Sequence, residues 1–233
     1  MGIDLWQIEL KVFLLRDIDY KDVMIKVAAF IDTTLKKNEK WKEFHKAKRY
    51  KGYSFNSLYP ISRNGVYKKG RVYTVQIRTV IEELKDFFSN ELQENSTEEM
   101  KGLVTKVIKI KNGKILDKLI SVTPLIIKSD KPYWREDLTI EEFLERIRII
   151  LTKQYNEFYN DKIDEEIQIF TGIRFKNKCP IATKYKSILI LGEKVELDIA
   201  KNETAQKLAF LSLGTGAGHM AARGFSFMNP RWI

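Results

Sequence analysis

Apolar and polar positions alternate along much of this chain, and where the alternation gives way to a period near 3.6 the sequence predicts helices. Leu5 to Leu15 predicts a strand. Asp19 then stands as the cap of a helix from about Tyr20 to Lys37, with Val23, Val27, Phe30 and Ile31 on one face. A basic segment follows and runs into a strand near Tyr53 to Tyr59. Asn64-Gly65 and Lys69-Gly70 mark turns. Arg71, Tyr73, Val75 and Ile77 alternate with Val72, Thr74, Gln76 and Arg78, the pattern of a half-buried strand. Thr79 and Glu82 have the spacing of a capping box and open a helix to about Leu92. Leu103 to Ile110 predicts the next strand.

This order, β-α-β-β-α-β, is the ferredoxin-like pattern, and it recurs. Lys114 to Lys128 is strand-rich. Thr139 and Glu142 form a second capping box before a helix to about Tyr159, with Phe143, Ile147, Ile150, Leu151 and Phe158 as its apolar face. Glu166 to Phe175 and Lys184 to Leu191 predict strands, Asn202 caps a helix to about Leu213, and a last short strand falls near Phe225 to Met228. The expected fold is α+β, with two tandem ferredoxin-like (RRM-like) units over 1–111 and 112–233. The halves share element order rather than sequence.

A length of 233 residues suits two units of roughly 100 residues each. The longest apolar runs, such as Ile188 to Leu191, fall far short of the roughly 20 residues that cross a membrane. The first residues carry Asp4 and Glu9, unlike a signal peptide. A single cysteine, Cys179, forms no internal disulfide, and a cytoplasmic location without membrane attachment is expected. Two histidines and one cysteine leave little for a zinc site. The acidic clusters Glu141, Glu142, Glu145 and Asp161, Asp164, Glu165, Glu166 suit solvated helix faces and ends. Neither metal nor cofactor is expected.

Charge changes the picture more. Between Lys36 and Arg71 stand 12 Lys or Arg against two acids, Glu39 and Glu43, so this window carries the whole of the chain's net charge of +10. Such a concentration points to a polyanion. Trp41, Phe44, Tyr50, Tyr53, Phe55 and Tyr59 are interleaved with the cations, and rings among cations suit stacking on unpaired bases beside phosphate contacts. RNA is therefore the expected partner.

Gly214 to Phe227, GTGAGHMAARGFSF, follows a predicted helix, whereas a dinucleotide or P-loop glycine motif follows a strand. It resembles the signature G-h-G-x5-G-h-G (h apolar) of the Cas-six family of CRISPR repeat endoribonucleases, with Gly216, Ala217, Gly218, then Gly224 and Phe225, and Ser226 at the last glycine position. SVTPLII over 121–127 is similar to the strand that opens the family's second half. His45 followed by YSFNSL over 53–58 resembles the family's histidine and its aromatic-rich strand. Tandem ferredoxin-like units are also the family's architecture.

The resemblance implies metal-independent cleavage of CRISPR precursor RNA within its repeats, in which the RNA's own 2′-OH attacks the adjacent phosphate and leaves a 2′,3′-cyclic phosphate and a 5′-OH. His45 would be the acid/base group, amid Lys42, Lys46, Lys48, Arg49 and Lys51, whose charges should lower its pKa. Lys51 is the first choice for the cation that stabilises the phosphorane, with Lys48 and Arg49 as alternatives or phosphate binders. Gly214, Gly216, Gly218, His219, Arg223, Gly224 and Phe225 would hold RNA in the loop. Other CRISPR effector subunits join RNA as partners on this reading. The family often adds a tyrosine on the first helix. Here Tyr20 lies at the helix start, Phe30 occupies the corresponding region, and Tyr50 and Tyr53 are the substitutes. Two rival readings stand beside this one: an RNA-binding protein of the same fold without catalysis, and a basic subunit that meets a partner protein.

Overall fold

The structure is a computed structural model that describes residues 2–160, 162–163 and 166–233; Asp161, Asp164 and Glu165 of the second acidic cluster lie outside the described residues. The first unit comprises β1 (Trp6–Leu14), β2 (Ile18–Asp19), α1 (Val23–Leu35), α2 (Glu39–Lys46), β3 (Tyr53–Phe55), β4 (Val66–Tyr67), β5 (Val72–Thr79), α3 (Glu82–Glu91) and β6 (Met100–Lys109). Its sheet is antiparallel in the order β3-β5-β1-β6. Alternation decides the faces: Ile8, Leu10, Val12 and Leu14 of β1 join Val75 and Ile77 of β5 in a core with Val27, Phe30 and Ile31 of α1 and Leu84 and Phe88 of α3. Full burial of each such side chain contributes roughly 1.5–3 kcal/mol.

The second unit runs through β7 (Leu116–Ser121), α4 (Ile140–Tyr159), β8 (Phe170–Phe175), β9 (Ile181–Tyr185), β10 (Ile188–Gly192), β11 (Val195–Ile199), α5 (Glu203–Thr215) and β12 (Met228–Trp232). Its sheet order, β12-β7-β11-β8, reproduces the first sheet's arrangement of fourth, first, third and second strands. The chain is thus two tandem ferredoxin-like units, as its element order predicts. Among the described residues, no helix is long and apolar enough to cross a membrane.

Several local expectations are corrected. The third strand of the second sheet is β11, not Lys184 to Leu191; those residues belong to a separate hairpin of β9 and β10. The last strand begins at Met228 rather than Phe225. Helix α1 starts after Asp22, and Asp19 instead accepts a turn hydrogen bond from the Lys21 amide. The Thr79–Glu82 capping box does not form: Thr79 Oγ1 accepts from the Ile81 amide, one position too early to cap α3. The Thr139–Glu142 box does form, and Asn202 caps α5 through the Ala205 amide.

Arg78 fastens the two units together. It is buried, stacks on Phe227 at 4.4 Å, and donates to Gln7 Oε1, the Met228 carbonyl and Asn229 Oδ1. Burial lowers its pKa to about 10, which leaves it charged at neutral pH.

Candidate active site

The basic segment folds into a short helix because its ends are well made. Asn38 Oδ1 accepts from the Trp41 amide, Glu39 lies in the first turn, and Lys46 lies in the last, where a cation complements the helix dipole. Trp41 is the helix's buried anchor, edge-on to Phe44 at 5.4 Å and against Phe87 at 5.8 Å. His45 follows Trp41 by four residues and so lies on the same side of the helix, toward α1. Its Nδ1 is 3.6 Å from Oδ1 of Asp32 on α1, and its side chain is only 18% exposed. The histidine is not the surface group that its cationic neighbours suggest.

Burial is the main cause that holds the His45 pKa below the usual 6.5. Asp32 opposes it, while Arg223, Lys51 and Lys36 push the same way as burial. The depression expected from sequence is present, but burial is its main cause; Lys51 is the one predicted neighbour that contributes, beside Lys36 and the distant Arg223. Such an imidazole is neutral at neutral pH and able to accept a proton.

Lys51 Nζ donates to the carbonyls of Phe44 and Ala47 at 2.6 Å each, closing the C-terminus of α2. Two of its three N–H groups are thereby committed. Arg49 pairs with Glu157 of α4 at 3.2 Å, and both Arg49 and Lys51 lie over the Phe44 ring. Lys48 is exposed. Arg49, Tyr50, Lys51, Gln154, Gly218 and His219 line a cleft of about 170 Å³ between the basic segment and the glycine-rich loop. A larger hollow of about 780 Å³ lies away from both histidines, against Arg63, Lys68 and Arg71.

The loop, expected to hold RNA, keeps its glycines away from solvent. Gly214, Gly216, Gly218, Gly224 and Phe225 are all buried. Gly214 belongs to the last turn of α5, and its carbonyl accepts from the Ser54 hydroxyl at 2.9 Å. Gly216 ends the helix at φ +79°, where a Cβ would lie 2.6 Å from that of Ala221. Gly224, at φ +88°, fits against Met24 and Phe55 with no room for a methyl group. These glycines are required by packing. Ser226, where the family pattern has its last glycine, adopts φ +58°. A left-handed serine is costly, but here its hydroxyl donates to the His219 carbonyl at 3.1 Å and accepts from the Ile126 amide at 3.2 Å.

The loop residues that reach the surface are His219, Met220, Ala222 and Arg223. His219 Nδ1 accepts from the Lys128 amide at 3.3 Å, and burial first, then Lys128, lowers its pKa. Arg223 donates to Asp32 Oδ2 at 2.5 Å.

Most of the interleaved aromatics do not stack outward. Trp41, Tyr53 and Phe55 are core, Phe44 lies beneath cations of its own chain, and Tyr59 is exposed at 65%. Of the substitute tyrosines, Tyr53 is buried and edge-on to Phe88, and Tyr50 is half-buried; both border the cleft, and burial raises both phenols. Sequence reasoning passed over Asp32 and the ion pair that Arg223 makes with it. The only signal was position: Asp32 sits in a helix face otherwise filled by Ala28, Ile31 and Leu35.

No family model matches the sequence, and no curated protein matches it. Solved structures do. A CRISPR associated protein Cas6 shares 18% identity with a TM-score of 0.70, over 97% of this chain and 99% of that one. An RAMP protein binding different RNA substrates shares 16% identity with a TM-score of 0.73, over 97% and 99%. A CRISPR RNA processing endoribonuclease, Cas6b, shares 15% identity with a TM-score of 0.55, over 98% and 100%. Along nearly its whole length, then, the chain has the fold of the Cas6 proteins.

Proposed function

We propose that this protein binds CRISPR repeat RNA and cleaves it without a metal, by attack of the 2′-OH on the neighbouring phosphate. The attacking oxygen loses its proton, the P–O5′ bond breaks, and the leaving 5′-oxygen gains a proton. The products are a 2′,3′-cyclic phosphate and a 5′-OH. The observation that carries the reading is His45: a half-buried imidazole kept neutral by burial, with Asp32 at 3.6 Å and the charges of Lys51 and Arg223 acting on it. Support comes from the fold shared with structures described as binding RNA substrates and processing CRISPR RNA. His45 handles a proton, the remaining donor of Lys51 and the Arg49 guanidinium face the phosphorane, and Lys48, His219 and the basic segment bind phosphates.

One observation favours a second reading, RNA binding without cleavage: Lys51 already serves two backbone carbonyls. Labelled CRISPR repeat RNA incubated with the protein in EDTA separates the two. The expected result is a cut ending in a cyclic phosphate, abolished by a 2′-deoxy nucleotide at the scissile position. Full cutting of the 2′-deoxy substrate would sink the mechanism, and tight binding without any cut would establish the second reading.

A further inference from the structure

Asp32 has one carboxylate oxygen satisfied and one not. Oδ2 accepts from Arg223 at 2.5 Å. Oδ1 is buried, takes no hydrogen bond, and faces Nδ1 of His45 at 3.6 Å. A buried carboxylate oxygen left without a donor is costly, and the imidazole opposite it is the group placed to supply one. We infer that Asp32 is the positioning residue of His45, and that the glycine-rich loop contributes to the site by holding Asp32 through Arg223. This rests on the reading of His45 as the acid/base group.

The geometry gives each group a task. A carboxylate opposite Nδ1 favours the tautomer with its proton on that nitrogen, which leaves Nε2 to exchange protons with the RNA. At 3.6 Å the contact is longer than a hydrogen bond; such contacts are often long in resting enzymes and tighten around the substrate. An unpaired buried anion here would repel the scissile phosphate, and the Arg223 guanidinium neutralises it. Arg223 in turn is placed by backbone that only this loop conformation provides, with Met220 at φ +62° before it and Gly224 at φ +88° after it. The buried glycines thus act on catalysis at one remove, through the position of one arginine.

The test needs a readout that a merely structural Asp32 would not move. His45 is faced by Asp32 from α1, Lys36 just after it, Arg223 from the loop, and Lys51 from beyond α2. Asp32 favours its protonated form and Arg223 disfavours it. Asp32→Asn should therefore displace the His45 titration, followed by NMR of the labelled imidazole in the intact protein, to lower pH. Arg223→Gln should displace it to higher pH, and Arg223→Lys should stay near wild type. With labelled repeat RNA at saturating protein, Asp32→Asn should cut about tenfold more slowly or worse, a smaller loss than the ~10²–10⁴-fold typical of the acid/base group itself, while RNA affinity is unchanged. The inference is overturned if Asp32→Asn cuts at the wild-type rate with its His45 titration unmoved. It is equally overturned if only thermal stability falls, since Asp32 would then be a mere anchor for the loop. Wild-type cleavage by His45→Ala brings down the acid/base reading instead, whatever Asp32→Asn does.

Discussion

The basic segment and the glycine-rich loop meet at one cleft, yet they are built in opposite ways. The segment from Lys36 to Arg71 carries most of its cations outward and gives Trp41, Tyr53, Phe55 and Tyr67 to the core. The loop from Gly214 to Phe227 buries its glycines and shows only a few side chains between them. In the first region chemistry comes from residue type, carried by the short helix α2 and the turns and strands that follow it. In the second, conformation is the contribution, and side-chain chemistry is confined to His219 and Arg223. The same substitution strategy should therefore give rate effects in one region and stability effects in the other.

The largest expected separation comes from His45→Ala. Cleavage at saturating protein should fall ~10²–10⁴-fold, with RNA affinity nearly intact. His219→Ala should mainly weaken binding. If His219→Ala stops cleavage and His45→Ala does not, the roles of the two regions are reversed. Next come the loop glycines. Gly216→Val places a branched side chain at φ +79° against Ala221, and a loss of about 1–3 kcal/mol is expected from overpacking and strain. Denaturant unfolding measures it, and a variant that stays fully stable but loses RNA would return the loop glycines to RNA binding.

Affinity itself should belong to the basic segment. Each phosphate contact contributes a slope of about −0.7 in log K against log salt for single strands, so binding should weaken steeply as salt rises. A flat response would remove the segment from the RNA interface. The smallest effect links both regions to pH. Burial holds both histidines below their usual 6.5, so between that value and the folded one the unfolded chain binds more protons. The associated stability is complete above about pH 6.5 and is lost as pH falls through the folded values. Melting temperature should decline on acidification, less so in the His45→Gln, His219→Gln double variant.

How legible this was in the sequence varied with the kind of signal. The duplicated element order survived because hydrophobic period and capping residues are local properties: Asn202 and the Thr139–Glu142 box act within one turn of chain. β11 was missed although Val195, Leu197 and Ile199 alternate, because the adjacent hairpin offered a stronger apolar run. For the candidate site, the resemblance directed attention to His45 and Lys51, and composition marked the basic segment. Asp32 could not be read, since its meaning lies in Arg223, 191 residues away. The burial of Gly214 and Gly224 is hidden for the same reason: their neighbours Leu5, Met24 and Phe55 come from the first unit.

The ion pair between Asp32 and Arg223 also imposes an order in time. Chains are synthesised from the N-terminus and domains generally fold in that order, so α1, α2 and His45 can be in place while Arg223 is still untranslated. During that interval Asp32 lacks its guanidinium partner, and the cleft has only one wall. On the proposed reading, a nascent chain held on the ribosome short of the glycine-rich loop should fold its first sheet and leave repeat RNA uncut, and cutting should begin only when the loop emerges and docks.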